Sequence, residues 1–130
     1  MYQRIDARVA QMMEEGLPQE VASLVACGYK EEDPGMQAIG YREFLSNQEF
    51  MLAAQKMKSP IAFDSFQEQC SSVDFHSIQE MICRNSRRYA KRQYTYFHGI
   101  PHATYFHAQD EAAVQEHIGK FLESSFPLLT

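Results

Sequence analysis

Arg84-Asn85-Ser86-Arg87-Arg88-Tyr89-Ala90-Lys91-Arg92-Gln93 holds five of the twelve Lys and Arg residues of a 130-residue chain whose formal net charge is -5. No Asp or Glu stands between Glu80 and Asp110. A basic block on an acidic chain is a local device, and it points to a phosphate-bearing partner. At about 100° per residue, a helix places Arg84, Arg87, Arg88, Lys91 and Arg92 on one face. Ile78, Ile82 and Tyr89 then form the neighbouring stripe, which is expected to face the core. The plain alternative is a solvated basic face, but solvated helices usually mix signs in i, i+4 pairs.

Outward from this helix the chain reads as mainly α. Asp74 is a suitable N-cap, so the basic helix spans Asp74 to about Gln93. Before it, Lys58 to Ser72 looks irregular, with Ser59-Pro60 as a breaker. A helix is expected from Met36 to Gln55, and Gly40 inside it costs about 1 kcal/mol relative to Ala. Such a Gly marks a bend, or a close approach of another backbone or a ligand. Glu31-Glu32-Asp33-Pro34-Gly35 is an acidic turn. Tyr2 to Glu15 carries the stripe Ile5, Val9, Met12, Met13 and ends at Gly16. Pro18 opens a helix to Cys27, with Val21, Leu24 and Val25 inward. The short link makes these two an antiparallel hairpin.

After the basic helix, Tyr94 to Phe97 and Ala103 to His107 read as two short strands around Gly99-Ile100-Pro101. Asp110 can cap a last helix, Glu111 to Ser124, with Ala113, Val114, Ile118, Phe121 and Leu122 inward. The layout is one unit over 1–130: first helices and the glycine segment in 1–57, an irregular link in 58–73, and the basic helix, strands and terminal helix in 74–130. There are no internal repeats.

The bulk numbers bound the class. At 45% hydrophobic and 22% charged residues the chain is globular. Its apolar runs are too short to cross a membrane. Cys27, Cys70 and Cys83 are odd in number and never paired as Cys-x-x-Cys, which argues for reduced thiols and a cytoplasmic setting.

Three places suggest chemistry. In Met36-Gln37-Ala38-Ile39-Gly40-Tyr41-Arg42-Glu43, an aromatic and a guanidinium stand beside a glycine, a combination suited to a splayed-out nucleotide. A packing glycine with an Arg42–Glu43 surface pair explains the same residues. Arg4 and Arg8 repel slightly at i, i+4 unless an anion sits between them, and ordinary surface arginines are the other reading. His98, His102 and His107 cluster, but no Cys or acidic residue stands at ligand spacing, so no metal site is expected. The chain has neither a nucleophile elbow nor a phosphate-cradling Gly-rich loop.

Taken in order, three segments resemble the tRNA dimethylallyltransferases. They are Gln3-Arg4-Ile5-Asp6-Ala7-Arg8-Val9 with Met12, Gly16-Leu17 and Glu20-Val21; Met36 through Glu43; and Arg84 through Gln93 followed by Thr95. Their order and spacing match the C-terminal part of that family. The resemblance implies transfer of a dimethylallyl group from its diphosphate to N6 of the adenine 3′ of the tRNA anticodon. It implies a P-loop-type α/β parent fold, with this chain as a mainly α fragment carrying two short strands. Arg8 would contact the diphosphate. Gln37, Ala38, Ile39, Gly40, Tyr41, Arg42, Arg88, Lys91, Arg92, Gln93, Thr95 and Tyr96 would lie along the tRNA anticodon stem-loop. Mg2+ is implied with its site outside this chain.

The family's P-loop, its Asp general base and its helical insertion belong to an N-terminal half with no counterpart here. The resemblance therefore implies a C-terminal fragment, or one product of a split gene, inactive without that half. The stretch Gln48 to Gln79 is longer than the family's usual link, Tyr96 stands where Trp is usual, and His98 where Arg is common. Two other readings stay open: a stand-alone helical RNA-binding module, and a helical protein-interaction domain.

Overall fold

The computed structural model describes residues 2–58 and 61–125. The expected breaker Ser59-Pro60 lies outside them. Among the described residues the chain forms seven α-helices: α1 (Tyr2–Glu14), α2 (Leu17–Ala26), α3 (Arg42–Leu45), α4 (Gln48–Gln55), α5 (Phe63–Gln69), α6 (Phe75–His98) and α7 (Glu111–Ser125). A 3-10 turn at Pro34–Gln37 precedes α3. The chain divides into two compact units, Met1–Gln93 and Tyr94–Thr130.

In the first unit, α1 and α2 pack through Val9, Leu17, Val21 and Val25. The turn between them depends on Gly16, whose φ of +108° lies in the left-handed region that an L side chain resists. Phe44 and Phe50 are fully buried at the centre, their ring centroids 5.0 Å apart. Phe75 at the start of α6 meets Phe50 at 6.3 Å and Phe66 of α5 at 6.0 Å. Ile78 and Ile82 seat α6 on this core. Asn47 caps α4 by accepting the Phe50 amide at 2.9 Å, and Asp74 caps α6 by accepting the Ser77 amide at 3.1 Å.

Several expectations need correction. The helix expected from Met36 to Gln55 is broken into the 3-10 turn, α3 and α4. The first break lies at Gly40, whose φ is +100°, and the second at Ser46–Asn47, where Asn47 caps α4. The stretch from Lys58 to Ser72 contains α5, anchored by Phe66 and Cys70, which lie one helical turn apart and are both buried. Tyr89 is half-exposed, so the inward stripe of α6 ends near Cys83. In the second unit, Ile118, Phe121 and Leu122 of α7 are exposed, and none of the described residues of this unit is buried.

The two expected strands are absent: no strand occurs among the described residues. Tyr94 to Phe97 continues α6. The stack of Tyr94 on His98 at 3.8 Å, one turn on, supports helical rather than extended backbone there. Gly99 ends the helix, its amide bonding to the carbonyls of Thr95 and Tyr96. Ala103 to His107 is irregular, and with the first strand gone it has no ladder partner.

Candidate nucleic-acid interface

Arg8 lies on the exposed face of α1, where Nη1 donates to Gln11 Oε1 at 3.4 Å. Met12, one turn along the same face as Arg8, approaches the glycine break, its Cε 4.0 Å from where a Cβ on Gly40 would stand. As a result Arg8 borders a hollow of about 500 Å3 together with Glu20, Ala38, Ile39, Gly40 and Tyr41. It also borders an adjoining hollow of about 330 Å3, lined by Arg4, Ile5, Met12, Ile39, Ile82 and Ser86 among others. The two hollows share Arg8, Met12 and Ile39. Residues from all three sequence segments therefore meet around one guanidinium. The smaller hollow is apolar in its walls and cationic at its rim, which suits a ligand with a hydrocarbon body and an anionic head.

The glycine segment is held from two sides. The Tyr41 hydroxyl donates to Glu20 Oε1. That hydrogen bond, then burial, then the carboxylate's charge push the Tyr41 hydroxyl above its ordinary pKa. On the other side Glu43 is 1% exposed. Its Oε2 accepts the Gly40 amide at 2.8 Å, and its Oε1 accepts Asn85 Nδ2 of α6 at 2.8 Å. Arg42 Nε lies 3.5 Å from Oε1 while the Arg42 side chain stays 46% exposed. The expected Arg42–Glu43 surface pair is thus half right: the guanidinium is at the surface and the carboxylate is not.

Gln37, Ala38 and Arg42 are exposed, Ile39 and Tyr41 are half-buried, and Gly40 is buried. On α6, Arg84, Arg88, Lys91, Arg92 and Gln93 are exposed. Among the described residues no carboxylate approaches Arg84, Arg88, Lys91 or Arg92 within ion-pair distance, which is 4.0 Å. Arg87 leaves this set by pairing with Asp6 of α1 at 3.2 Å. Burial pushes the neighbouring Cys83 thiol up, and the Asp6 charge adds to that shift.

Arg88, Lys91, Arg92 and Gln93 line neither hollow around Arg8; they form an open basic surface. Thr95 and Tyr96, in the second unit, are exposed, Tyr96 by 68%. His98 is stacked between Tyr94 and Tyr105, at 3.8 and 4.6 Å, and its Nδ1 lies 2.8 Å from the Tyr94 carbonyl. Among the described residues no group of three or more His, Cys, Asp or Glu is placed to hold a metal ion.

Asn85, Asp6 and Ser86 are not singled out by the sequence pattern, and Glu43 is marked there only as a surface partner for Arg42. One signal existed for Glu43: a Glu three residues after a Gly at a helix start can reach back to its amide, as in half of a capping box. Asn85 had a weaker one, since Asn is a poor residue for a helix interior unless its side chain has a partner.

The family model described as IPP transferase matches residues 1–99. The chain is 35% identical over 111 residues to a tRNA dimethylallyltransferase of Borrelia turicatae (strain 91E135), covering 85% of this chain and 30% of that protein. It is 32% identical over 123 residues to one of Desulfatibacillum aliphaticivorans, covering 95% and 33%. It is 30% identical over 130 residues to one of Alkaliphilus metalliredigens (strain QYMF), covering 98% and 35%. The chain spans about a third of the length of these curated relatives. No solved structure matches it.

Proposed function

The chain belongs to the IPP transferase family, and on that premise we propose that it is the tRNA-facing C-terminal part of an enzyme that prenylates tRNA. The reaction moves a dimethylallyl group from dimethylallyl diphosphate to N6 of the adenine immediately 3′ of the anticodon. The observation that carries this reading is the meeting of Arg8, the Gly40–Tyr41 break and Ser86 of the basic helix around two adjoining hollows.

Each part has a chemical role. In the transfer, the N6–C1 bond forms, the C1–O bond to diphosphate breaks, and N6 loses a proton. Arg8 meets the diphosphate, where a guanidinium stabilises the negative charge that builds as the C–O bond lengthens. Ile5, Val9, Met12, Ile39 and Ile82 offer apolar walls for the five-carbon chain. Gln37 through Arg42 lie along the nucleotide that carries the target base, with Tyr41 as a stacking surface. Arg88, Lys91, Arg92 and Gln93, with Thr95 and Tyr96, lie along the stem-loop backbone, and their open charges suit phosphates.

The remainder of such an enzyme supplies the proton acceptor and closes the site, so the chain alone is inactive. Among the described residues no group of three or more His, Cys, Asp or Glu could hold the Mg2+ that the resemblance implies. We place that ion outside this chain and derive no step through it. Among the described residues no helix is long and apolar enough to cross a membrane. Three free thiols and a tRNA substrate favour the cytoplasm.

The test is binding of the chain to an anticodon stem-loop with adenine beside the anticodon, at two salt concentrations, with and without the N-terminal part of a relative. Salt-sensitive binding alone, with transfer only in the combined protein, is the expected result. Equal binding in both settings without transfer would make the chain a stand-alone RNA module. No binding at low salt would leave the protein-interaction reading.

A further inference from the structure

We propose that Glu43 is a positioning residue that locks the Gly40–Tyr41 break to the basic helix through Asn85. It fixes the register between RNA lying along α6 and the phosphate-bearing group at Arg8. The inference rests on the tRNA reading for what is positioned, but the lock itself is visible in the geometry.

A carboxylate that is 1% exposed is costly unless its oxygens are satisfied. Both oxygens of Glu43 are used, one by a backbone amide of the break and one by a side chain of α6. A carboxylate only accepts, so Asn85 must present its NH2 end, and the amide orientation is thereby fixed. Replacing a buried charge by a well-packed apolar residue is often neutral or stabilising. A buried charged tie is therefore a weak way to gain stability and a good way to define one arrangement.

The placement suits that task. Asn85, Ser86 and Arg87 are consecutive on α6. Asn85 is tied to the break through Glu43, Ser86 lines the hollow at Arg8, and Arg87 is tied to Asp6, two residues before Arg8. The basic helix is thus indexed against both walls of the candidate site at the level of the hollow. Through Arg42 Nε the same carboxylate also orients a guanidinium that points outward beside the break.

The experiment uses the full chain with Asn85→Asp, Glu43→Gln and the two together. Asn85→Asp sets a second carboxylate against the first and breaks the tie. Glu43→Gln alone keeps it, because Asn85 can turn its carbonyl toward the new amide. The double variant restores a donor–acceptor pair with the wild-type net charge. Two quantities are read under conditions where circular dichroism shows each variant folded: hydrogen exchange at the Gly40 amide, and stem-loop affinity with its salt slope.

Asn85→Asp is expected to speed Gly40 exchange and to weaken stem-loop binding by about tenfold each, with coupling of the size seen for groups in one hydrogen-bond network. Glu43→Gln and the double variant should return both to within about threefold of wild type. Unchanged Gly40 exchange in Asn85→Asp overturns the lock, whatever the RNA result. Failure of the double variant to restore binding overturns the positioning role. If the wild-type chain shows no salt-sensitive RNA binding, the tRNA reading fails, while the exchange measurement still decides the lock. Should Asn85→Asp not fold, Asn85→Ala removes the donor without adding charge and carries the same comparison.

Discussion

Replacing Gly40 by Ala tests whether the break that shapes the candidate site is a backbone requirement. A Cβ built on Gly40 would find Met12 Cε as its nearest heavy atom at 4.0 Å, an ordinary contact, so crowding contributes little. The φ of +100° is the obstacle, and an L residue in left-handed backbone costs about 1–2 kcal/mol. If the chain instead relaxes away from that angle, the Gly40 amide leaves Glu43. An unsatisfied buried carboxylate oxygen then costs about 1–3 kcal/mol. Either route destabilises. For a unit of this size, each 1 kcal/mol lowers the melting temperature by roughly 4–8 °C. Gly35→Ala is the control: nothing lies within 4 Å of its Cβ and its φ is not positive. It should fall within about 0.5 kcal/mol of wild type. Thermal and urea unfolding followed by circular dichroism compare the two. If Gly40→Ala matches Gly35→Ala, the left-handed turn does not hold the segment, and the case for a rigid break between α1 and α6 is lost.

Lys91→Ala with Arg92→Ala should leave the melt unchanged and lower the slope of log affinity against log salt by about 0.9 for each phosphate no longer neutralised; an unchanged slope would remove both from the RNA surface. Arg8→Ala, at an exposed position, should keep stability within about 0.5 kcal/mol and stem-loop affinity near wild type, while slowing transfer in the combined enzyme. Phe44→Ala should cost about 3–5 kcal/mol in urea unfolding, because its ring is fully buried between α3 and α4. Of the three free thiols, exposed Cys27 should react quickly with a disulfide reagent and buried Cys70 and Cys83 slowly, all three reacting fast after unfolding. Burial raises the folded pKa of Cys70 and Cys83. Their contribution to stability is complete below the ordinary thiol value of about 8.5 and is lost as pH rises from there through the folded values, so the melting temperature should fall across that window and level off above it.

What could be read from the sequence was local. The α1–α2 hairpin follows from an apolar stripe, a glycine and a proline within a few positions, and the caps at Asp74 and Asp110 from single carboxylates. Each side chain accepts the amide three residues on, at 3.1 Å in both cases. The strands failed for a complementary reason. Aromatic and β-branched residues at Tyr94 to Phe97 satisfy a strand pattern, but a strand also needs a ladder partner, which the local pattern does not report. Continuing α6 satisfies those amides without one. The outward face of α7 is the same lesson in reverse: its stripe was read correctly as apolar, and the pattern held no information on what it packs against.

The site divides along the same line. Arg8, Gly40 and the basic run announce themselves by charge excess or by a helix-breaking residue, and the structure gathers residues from their three segments around the hollows. The tie between them did not announce itself, because its partners, Glu43 and Asn85, stand 42 residues apart. In sequence Glu43 looked like the balance for Arg42; in the fold it spends one oxygen on the break and the other on the basic helix. Ligand-facing groups must be exposed and unusual in charge, so they mark the sequence. The groups that set their spacing are buried and commonplace in type, and only packing identifies them. A search for the determinants of register in such a site should therefore begin with the buried polar side chains just behind the exposed basic ones.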